Sequence, residues 1–209
     1  FSWADVGINI RGARSVVLKK NYRNTKEIAE AALSLLTHDT QKGEFTLPEP
    51  SPRSGAKPKV MILNDVTEQE QEILAELSLI DLNSKSVAVL HRRRAGVEAL
   101  TEMLVENGYS PVAITRKLSV LKDVGLYTCT MSSAKGLEFD VVYICGVDDS
   151  VLPYPYSKED EGLEMHIAAE RRLLYMCMTR ARDRLTMYST DKPSRFLNEI
   201  SKELVEYED

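Results

Sequence analysis

The sequence predicts an α/β protein in which helices cover both faces of a mostly parallel sheet. Two runs within residues 124–149, GLYTCT and VVYICGV, are short, continuous and rich in β-branched and aromatic residues. Such runs are typical of strands that are buried on both faces. Elsewhere, short apolar runs alternate with segments whose apolar residues recur at helical spacing, which indicates βαβ units. A chain of 209 residues is long enough for one such domain with a sizeable core.

The first elements lead from an entry segment into a capped helix. Residues 1–14 are predicted to form a connection and residues 15–20 a short strand. In the NYRNT loop that follows, we expect Asn24 or Thr25 to cap the next helix, because either side chain can accept a hydrogen bond from its first turn. Residues 38–58 are rich in Pro, Gly and Ser and are predicted to form a loop.

Strands and helices then alternate to the end of the chain. We expect Gly108 to end one helix, because glycine readily adopts the left-handed conformation found after helix ends. The predicted elements are a strand over 59–63, a helix over 67–82, a strand over 86–91, a helix over 95–107, strands over 111–115, 125–130 and 141–147, a helix over 164–180, a strand over 183–189 and a closing helix over 194–205.

Polar residues follow the strand over 125–130, and they are expected at the ligand-binding edge of the sheet. In open α/β sheets, ligands lie beyond the carboxyl ends of the strands. Arg23, placed between a strand and a helix, is expected at the same edge. The other residues expected there are Thr130, Ser132, Ser133, Lys135, Gly136 and Glu138.

Charge and cysteine content narrow the class of protein. The net charge is −5, which argues against coating nucleic acid by bulk charge but is compatible with a local basic groove. The three cysteines are isolated within apolar runs, so we interpret them as buried thiols in a reducing cytoplasm. No metal-ligand spacing occurs among the cysteines and histidines, and no apolar run approaches the length of a membrane span.

Three motifs together resemble those of a known enzyme family. The segment TMSSAKGLEFDVV, which begins at Thr130, resembles the fifth motor motif of UvrD/Rep-type superfamily 1 helicases, T-x-H-x-A-K-G-L-E-F. NYRNT, from Asn21, resembles the fourth motif, N-Y-R-[ST]-T. ERRLLYMCMTRAR, from Glu170, resembles the sixth, E-R-R-L-x-Y-V-A-x-T-R-A. The motifs occur in the family's order, and the resemblance spans nearly the whole chain.

The resemblance implies both a fold and a function. Residues 15–209 would form the second RecA-like motor domain, a P-loop NTPase-type three-layer sandwich, and residues 1–14 a linker from an N-terminal motor domain. The family's large helical insertion would be absent or vestigial, because only residues 111–123 could hold it. The implied function is that of the C-terminal domain of an ATP-dependent 3′–5′ DNA helicase or translocase.

Two arginines are the catalytic candidates that the resemblance implies. Arg23 matches the fourth-motif arginine that contacts the γ-phosphate of ATP, and Arg180 matches the sixth-motif arginine finger. The residues alone leave alternatives open: Arg23 could form a surface salt bridge, and Arg180 could pair with Asp183 or Glu170. Glu170 and Arg172 are expected to pair with each other and to position Arg180.

Further residues are assigned to nucleotide binding by the resemblance. These are Tyr22, Gly136 and Glu138, and in the family the fifth-motif glutamate hydrogen-bonds the ribose. The implied cofactor is ATP with Mg²⁺, bound mainly by the N-terminal domain. No G-x-x-x-x-G-K-[ST] loop and no Asp-Glu pair at a strand end occurs in these 209 residues. We therefore expect this chain alone to be inactive as an ATPase, and Phe1 in place of Met suggests a piece of a longer protein.

Another set of residues is assigned to single-stranded DNA. Thr130, Ser132, Ser133 and Lys135 would bind phosphate without reading sequence. Ser132 stands where the family usually has a histidine that touches DNA, and serine cannot stack on a base. The HRRR run at 91–94 adds Arg92 and Arg93, because three arginines at a helix start suggest a nearby anion.

Interpretations without a binding role remain open for some of these residues, and functions other than that of a DNA helicase domain remain open for the chain. Lys135 could be a solvated turn residue, and the HRRR run a solvated charge cluster. The expected partners are single-stranded DNA and the N-terminal RecA-like domain, with no membrane. The alternatives are a degenerate, non-hydrolysing module that binds DNA or protein, and the helicase part of a helicase–nuclease.

Overall fold

The computed structural model describes residues 23–39, 51–115, 123–156 and 162–208. The strand predicted over 15–20, the entry segment 1–14 and the candidate residue Tyr22 lie outside these ranges. The described helices are α1 (Lys26–Leu36), α2 (Val66–Ser78), α3 (Arg94–Glu106) and α4 (Leu163–Met178). The described strands are β1 (Lys59–Ile62), β2 (Ser86–His91), β3 (Val112–Ala113), β4 (Gly125–Thr130), β5 (Phe139–Cys145), β6 (Ala181–Ser189) and β7 (Glu206–Glu208).

The strands form one parallel sheet in the order β3-β4-β2-β5-β6-β1-β7. Side chains of the central strands alternate between two hydrophobic cores, as the pleat requires. Val142 and Ile144 of β5 pack into the core that holds α1 and α4. Val141 and Tyr143 pack into the core that holds α2 and α3. The predicted α/β class and its three layers are therefore confirmed.

Element ends agree best where a local signal determines them. The predicted bounds of β2 and β4 match those observed, because each run is almost wholly buried. The Thr25 hydroxyl accepts from the backbone N–H of Ile28 and caps α1. Gly108 follows α3 at φ +83°, as its predicted role after a helix end requires.

The closing helix predicted over 194–205 is wrong. The segment forms two short 3₁₀ turns, Leu197–Glu199 and Lys202–Leu204, followed by β7, which pairs in parallel with β1. The apolar residues Leu197 and Ile200 have helical spacing, but extended backbone at Ile200 lets the chain cover β1 instead. Pairing with β7 satisfies backbone groups that would otherwise be exposed on an edge strand.

Two further features bear on the domain as a whole. The chain between β3 and β4 comprises residues 114–124, within the segment to which the sequence limits any insertion. Among the helices that the structure describes, none is both long and apolar enough to cross a bilayer.

Candidate functional site

The candidate residues separate onto two opposite edges of the sheet. Because β1 to β7 are parallel, their amino ends form one edge, the amino edge, and their carboxyl ends the other, the carboxyl edge. Glu138 immediately precedes β5, and Arg180 immediately precedes β6. The expectation that Glu138, Gly136 and Arg23 lie at the carboxyl edge is therefore wrong. The chain crosses the sheet between the end of β4 and the start of β5, which carries these residues to the amino edge.

Asn24 joins the Arg23 loop to the start of β6. Its side-chain amide is buried and donates to the carbonyl oxygens of Thr179 (2.9 Å) and Ala181. The backbone N–H of Thr25 donates to the carbonyl of Arg182 (3.2 Å). These bonds bring together two motifs that are more than 150 residues apart in sequence, and they place Arg23 beside Arg180.

Arg23 itself forms an ion pair with Glu138. The second carboxylate oxygen of Glu138 lies 3.5 Å from Nε of Arg182. Arg23 and Arg182 are partly exposed, so this pairing adds little stability and can be exchanged. The alternative of a salt bridge at Arg23 is thus observed, and its partner is the very glutamate that the resemblance assigns to the nucleotide.

Arg180 is held by neutral acceptors. Its Nε donates to the carbonyl of Met176 (2.9 Å), Nη1 to the carbonyl of Leu137 (3.1 Å) and Nη2 to the hydroxyl of Thr179 (3.1 Å). No carboxylate in the part of the chain that the structure describes forms an ion pair with it. Burial, and then the nearby charge of Arg23, lower the pKa of Arg180. A guanidinium has five N–H donors, so two remain for an anion at this edge.

The predicted alternative partners of Arg180 are engaged elsewhere. Asp183 pairs with Arg53 and Lys85. Glu170 pairs with Arg92, as described below, so neither neutralises Arg180.

An open cleft of about 470 Å³ adjoins this cluster on the amino edge. Gly136, at φ +85°, forms part of its wall, so this position favours glycine. The lining residues are Ser86, Asp123, Gly136, Leu137, Glu138, Phe139 and Arg182. The structure therefore brings Gly136 and Glu138 together at a polar cleft next to both candidate arginines.

Hydroxyl groups mark the end of β4 on the carboxyl edge. The hydroxyl of Thr130 accepts from the backbone N–H of Ser133 (3.3 Å) and lies 2.9 Å from the Ser133 hydroxyl. Only one of the two hydroxyl hydrogens is used between them, so the other can be donated to a ligand. Ser132 and Lys135 are exposed, and Lys135 forms no ion pair within the described residues.

Arg92, expected to bind DNA, is neutralised inside the protein. Its Nε and Nη2 each donate to Glu170 at 2.8 Å, in a mostly buried bidentate pair. Burial alone would raise the pKa of Glu170, but the bonds from Arg92 and from the backbone of Tyr154 lower it overall. The predicted pairing of Glu170 with Arg172 is wrong, because Arg172 pairs with Asp39. The anion beside Arg92 is therefore the protein's own Glu170.

Arg93 differs from its neighbours. It is exposed, donates to the carbonyl of Ser150 (2.6 Å), and forms no ion pair with any described carboxylate. Arg94 pairs with Glu98 on the surface of α3. Of the two arginines predicted to bind DNA, only Arg93 keeps an uncompensated charge.

Sequence reasoning overlooked three residues of these clusters. Asn24 bonds to the start of β6 instead of capping α1, and Arg182 lies beside Glu138. Both roles depend on strand pairing and have no local signal. Tyr154 lies over both Arg92 and Arg93, with guanidinium-to-ring distances of 4.8 and 5.8 Å. The run LPYPY, in which prolines flank an aromatic residue, could have drawn attention to Tyr154.

Comparisons with known proteins place these features in a family context. Residues 115–192 match the model of the UvrD-like helicase C-terminal domain. The chain is 30% identical over 199 residues to a "Probable DNA helicase" of Mycoplasma pneumoniae, covering 88% of this chain and 35% of that protein. It is 38% identical over 93 residues to the ATP-dependent DNA helicase PcrA of Staphylococcus aureus, covering 39% of this chain and 13% of PcrA. The chain thus spans about a third or less of the length of these relatives.

A solved structure supports the fold. The C-terminal domain of a possible DNA helicase from a Lactobacillus superposes with a TM-score of 0.68 at 23% identity, covering 90% of this chain and 99% of that one.

Proposed function

This chain carries the C-terminal domain of a UvrD-like DNA helicase, and on that premise we propose that it serves an ATP-dependent 3′–5′ DNA helicase or translocase. Its amino edge would complete an ATP site whose Mg²⁺ and phosphate cradle belong mainly to an N-terminal RecA-like domain. Its carboxyl edge would form part of the track for single-stranded DNA. The observation that supports this most is Arg180, a partly buried guanidinium held by carbonyl oxygens.

The surroundings of Arg180 suit the role of an arginine finger. A partly buried guanidinium without a carboxylate retains its full charge, and its carbonyl contacts hold the group in one orientation. Donors fixed in advance stabilise developing negative charge without reorganising. Bound ATP would supply the phosphoryl group for transfer, and Arg180 would donate its two remaining N–H groups to it.

Arg23 and Glu138 would act by exchange of partners. Arg23 forms an ion pair with Glu138, and Arg182 contacts the same carboxylate. A phosphate at the edge would attract Arg23 away, because two cations, Arg23 and Arg180, face it together. Glu138 would then keep Arg182 and could accept a hydrogen bond from a ribose hydroxyl in the adjoining cleft. Tyr22 and Gly136 remain proposed members of this site.

The DNA contacts that we propose on the carboxyl edge are phosphate contacts. Thr130, Ser132 and Ser133 offer hydroxyl groups, and Lys135 and Arg93 offer uncompensated charge. Arg92 is better described as a support, since Glu170 already neutralises it. Attraction of both candidate arginines to nucleotide would close the cleft between the two motor domains, which is a common form of nucleotide-driven motion.

ATPase activity of the complete polypeptide, with and without single-stranded DNA, tests this proposal. We expect strong stimulation by DNA, and we expect Arg180→Ala to lower the rate by at least about a hundredfold. Arg180→Lys keeps the charge but not the fork of donors, so it should restore little. The matched control is Arg195→Ala, which removes an exposed arginine paired with Asp149 on the carboxyl edge.

Two results would contradict parts of the proposal. A complete polypeptide that binds DNA without turning over ATP would favour the degenerate binding module. Mg²⁺-dependent turnover by the 209-residue chain alone would refute its dependence on an N-terminal half.

A further inference from the structure

Arg53 connects the loop of Arg23 to the sheet through a single guanidinium group. Its Nη1 donates to the carbonyl oxygen of Arg23 (2.7 Å), and its Nη2 donates to a carboxylate oxygen of Asp183 on β6. These partners lie 30 and 130 residues away in sequence. One rigid fork of donors therefore fixes the main chain of Arg23, a catalytic candidate, relative to a strand of the sheet.

The segment that carries Arg53, residues 51–55, forms a strap along the Arg23 loop. The buried hydroxyl of Ser51 donates to the carbonyl oxygen of Asn24 (2.6 Å). The backbone N–H of Lys26 donates to the carbonyl oxygen of Arg53 (2.6 Å). The strap therefore holds the loop through main-chain groups on both segments as well as through the Arg53 side chain.

The far end of the strap lies against the start of α1. The backbone N–H of Gly55 donates to Oε2 of Glu27 (2.8 Å). A Cβ atom at Gly55 would lie 2.5 Å from Cγ2 of Thr25, the residue that caps α1. The approach is thus too close for a side chain at position 55, and the strap contacts residues 23–27 along its whole length.

Asp183 gives Arg53 a fixed anionic partner. It lies on β6, and Nζ of Lys85 donates to its second carboxylate oxygen at 2.9 Å. Burial alone would raise the pKa of Asp183, but the bonds from Lys85 and Arg53 lower it overall. The carboxylate therefore stays charged near neutral pH. Because Arg180 immediately precedes β6, an anchor on this strand also fixes the Arg23 loop relative to Arg180.

We propose that Arg53 is a positioning residue for Arg23. It holds the main chain of Arg23 where its guanidinium group can leave Glu138 and reach the γ-phosphate of ATP. Asp183 compensates the charge of Arg53, and a partly exposed ion pair adds little stability, so the arrangement acts through geometry. The inference rests on the proposed function and adds to it a residue outside the three motifs.

ATP turnover and ADP binding by the complete polypeptide test the proposal together. A misplacement of about 1 Å can cost a hundredfold in rate, so we expect Arg53→Ala to lower kcat by roughly ten- to hundredfold. Binding of ADP, which lacks the γ-phosphate, should stay unchanged. Arg53→Lys keeps the charge but not the fork of donors, so it should restore little. Lys85→Ala is the matched control, because it removes a cation from the same carboxylate of Asp183 and should leave kcat unchanged.

Two further measurements separate positioning from general damage to the fold. In an Arg23→Ala background, Arg53→Ala should cause no further loss of kcat, because it acts through Arg23. Hydrogen exchange measures the anchoring without nucleotide. The backbone N–H groups of Thr25 and Lys26, which donate to the carbonyls of Arg182 and Arg53, should exchange faster in Arg53→Ala, while exchange in the central strands stays unchanged.

Several outcomes would overturn the proposal. An active wild type whose Arg53→Ala variant keeps its kcat would refute the role of Arg53 alone. Full rescue by Arg53→Lys would assign the effect to charge, and a further loss in the Arg23→Ala background would assign it to damage elsewhere. A wild-type complete polypeptide without ATPase activity would instead refute the proposed function, and the role of Arg53 in the reaction with it.

Discussion

Replacing Asn24 with alanine is expected to disconnect the loop of Arg23 from the start of β6. The side chain is 2% exposed and donates to two carbonyl oxygens, those of Thr179 and Ala181. Each lost hydrogen bond costs about 0.5–1.5 kcal/mol, and each buried carbonyl left unpaired adds to this. We therefore expect the free energy of unfolding, measured with urea, to be about 2–4 kcal/mol lower in Asn24→Ala than in the wild type.

A second variant tests whether the two donors matter. Asn24→Asp has nearly the same shape but turns two donors into acceptors that face carbonyl oxygens, so it should destabilise more than alanine does. Asn107→Ala is the matched control, because Asn107 makes a single bond to a helix-end carbonyl at a partly exposed position and should cost under about 1 kcal/mol. Two results would refute the role of Asn24 in holding its loop to the start of β6. One is a decrease in the free energy of unfolding below about 0.5 kcal/mol in Asn24→Ala, and the other is equal stability of the alanine and aspartate variants.

Two further predictions concern the ring of His91, which lies between Gly96 and Gly146. Burial lowers the pKa of His91, so the unfolded chain binds a proton more readily at this residue than the folded protein does. The free energy of unfolding should therefore fall as the pH drops below about 6.5. Urea unfolding at pH 7.5 and 5.5 measures this fall, and His91→Gln should remove it. A methyl group at Gly146, at φ +67°, would overlap the His91 ring, whereas one at Gly108, at φ +83°, would meet open space. We expect Gly146→Ala to lower the free energy of unfolding by about 3 kcal/mol and Gly108→Ala by about 1 kcal/mol. Equal losses in the two variants would show that the His91 ring does not oppose a methyl group at position 146.

Local chemistry was enough to predict most elements, and the family resemblance of the motifs implied which of their residues act together. Buried runs determined β2 and β4, a hydroxyl in the right place determined the start of α1, and Gly108 marked the end of α3. These features depend on a few adjacent residues, so the sequence carries them directly. The resemblance implied that Arg23, Glu138 and Arg180 act together, and the structure does bring these three residues to one edge.

Tertiary structure alone decided which edge that is and how the charges pair. Residues 131–138 cross the sheet, so Glu138 lies at an amino end although it follows a strand in sequence. Glu170 pairs with Arg92, 78 residues away, and Arg180 donates to carbonyl oxygens instead of to a described carboxylate. The segment 194–205 has apolar residues at helical spacing, but it forms two 3₁₀ turns and leads into β7, which pairs with β1. Each of these outcomes depends on contacts between distant parts of the chain, and local propensity contributes less free energy than such burial and pairing.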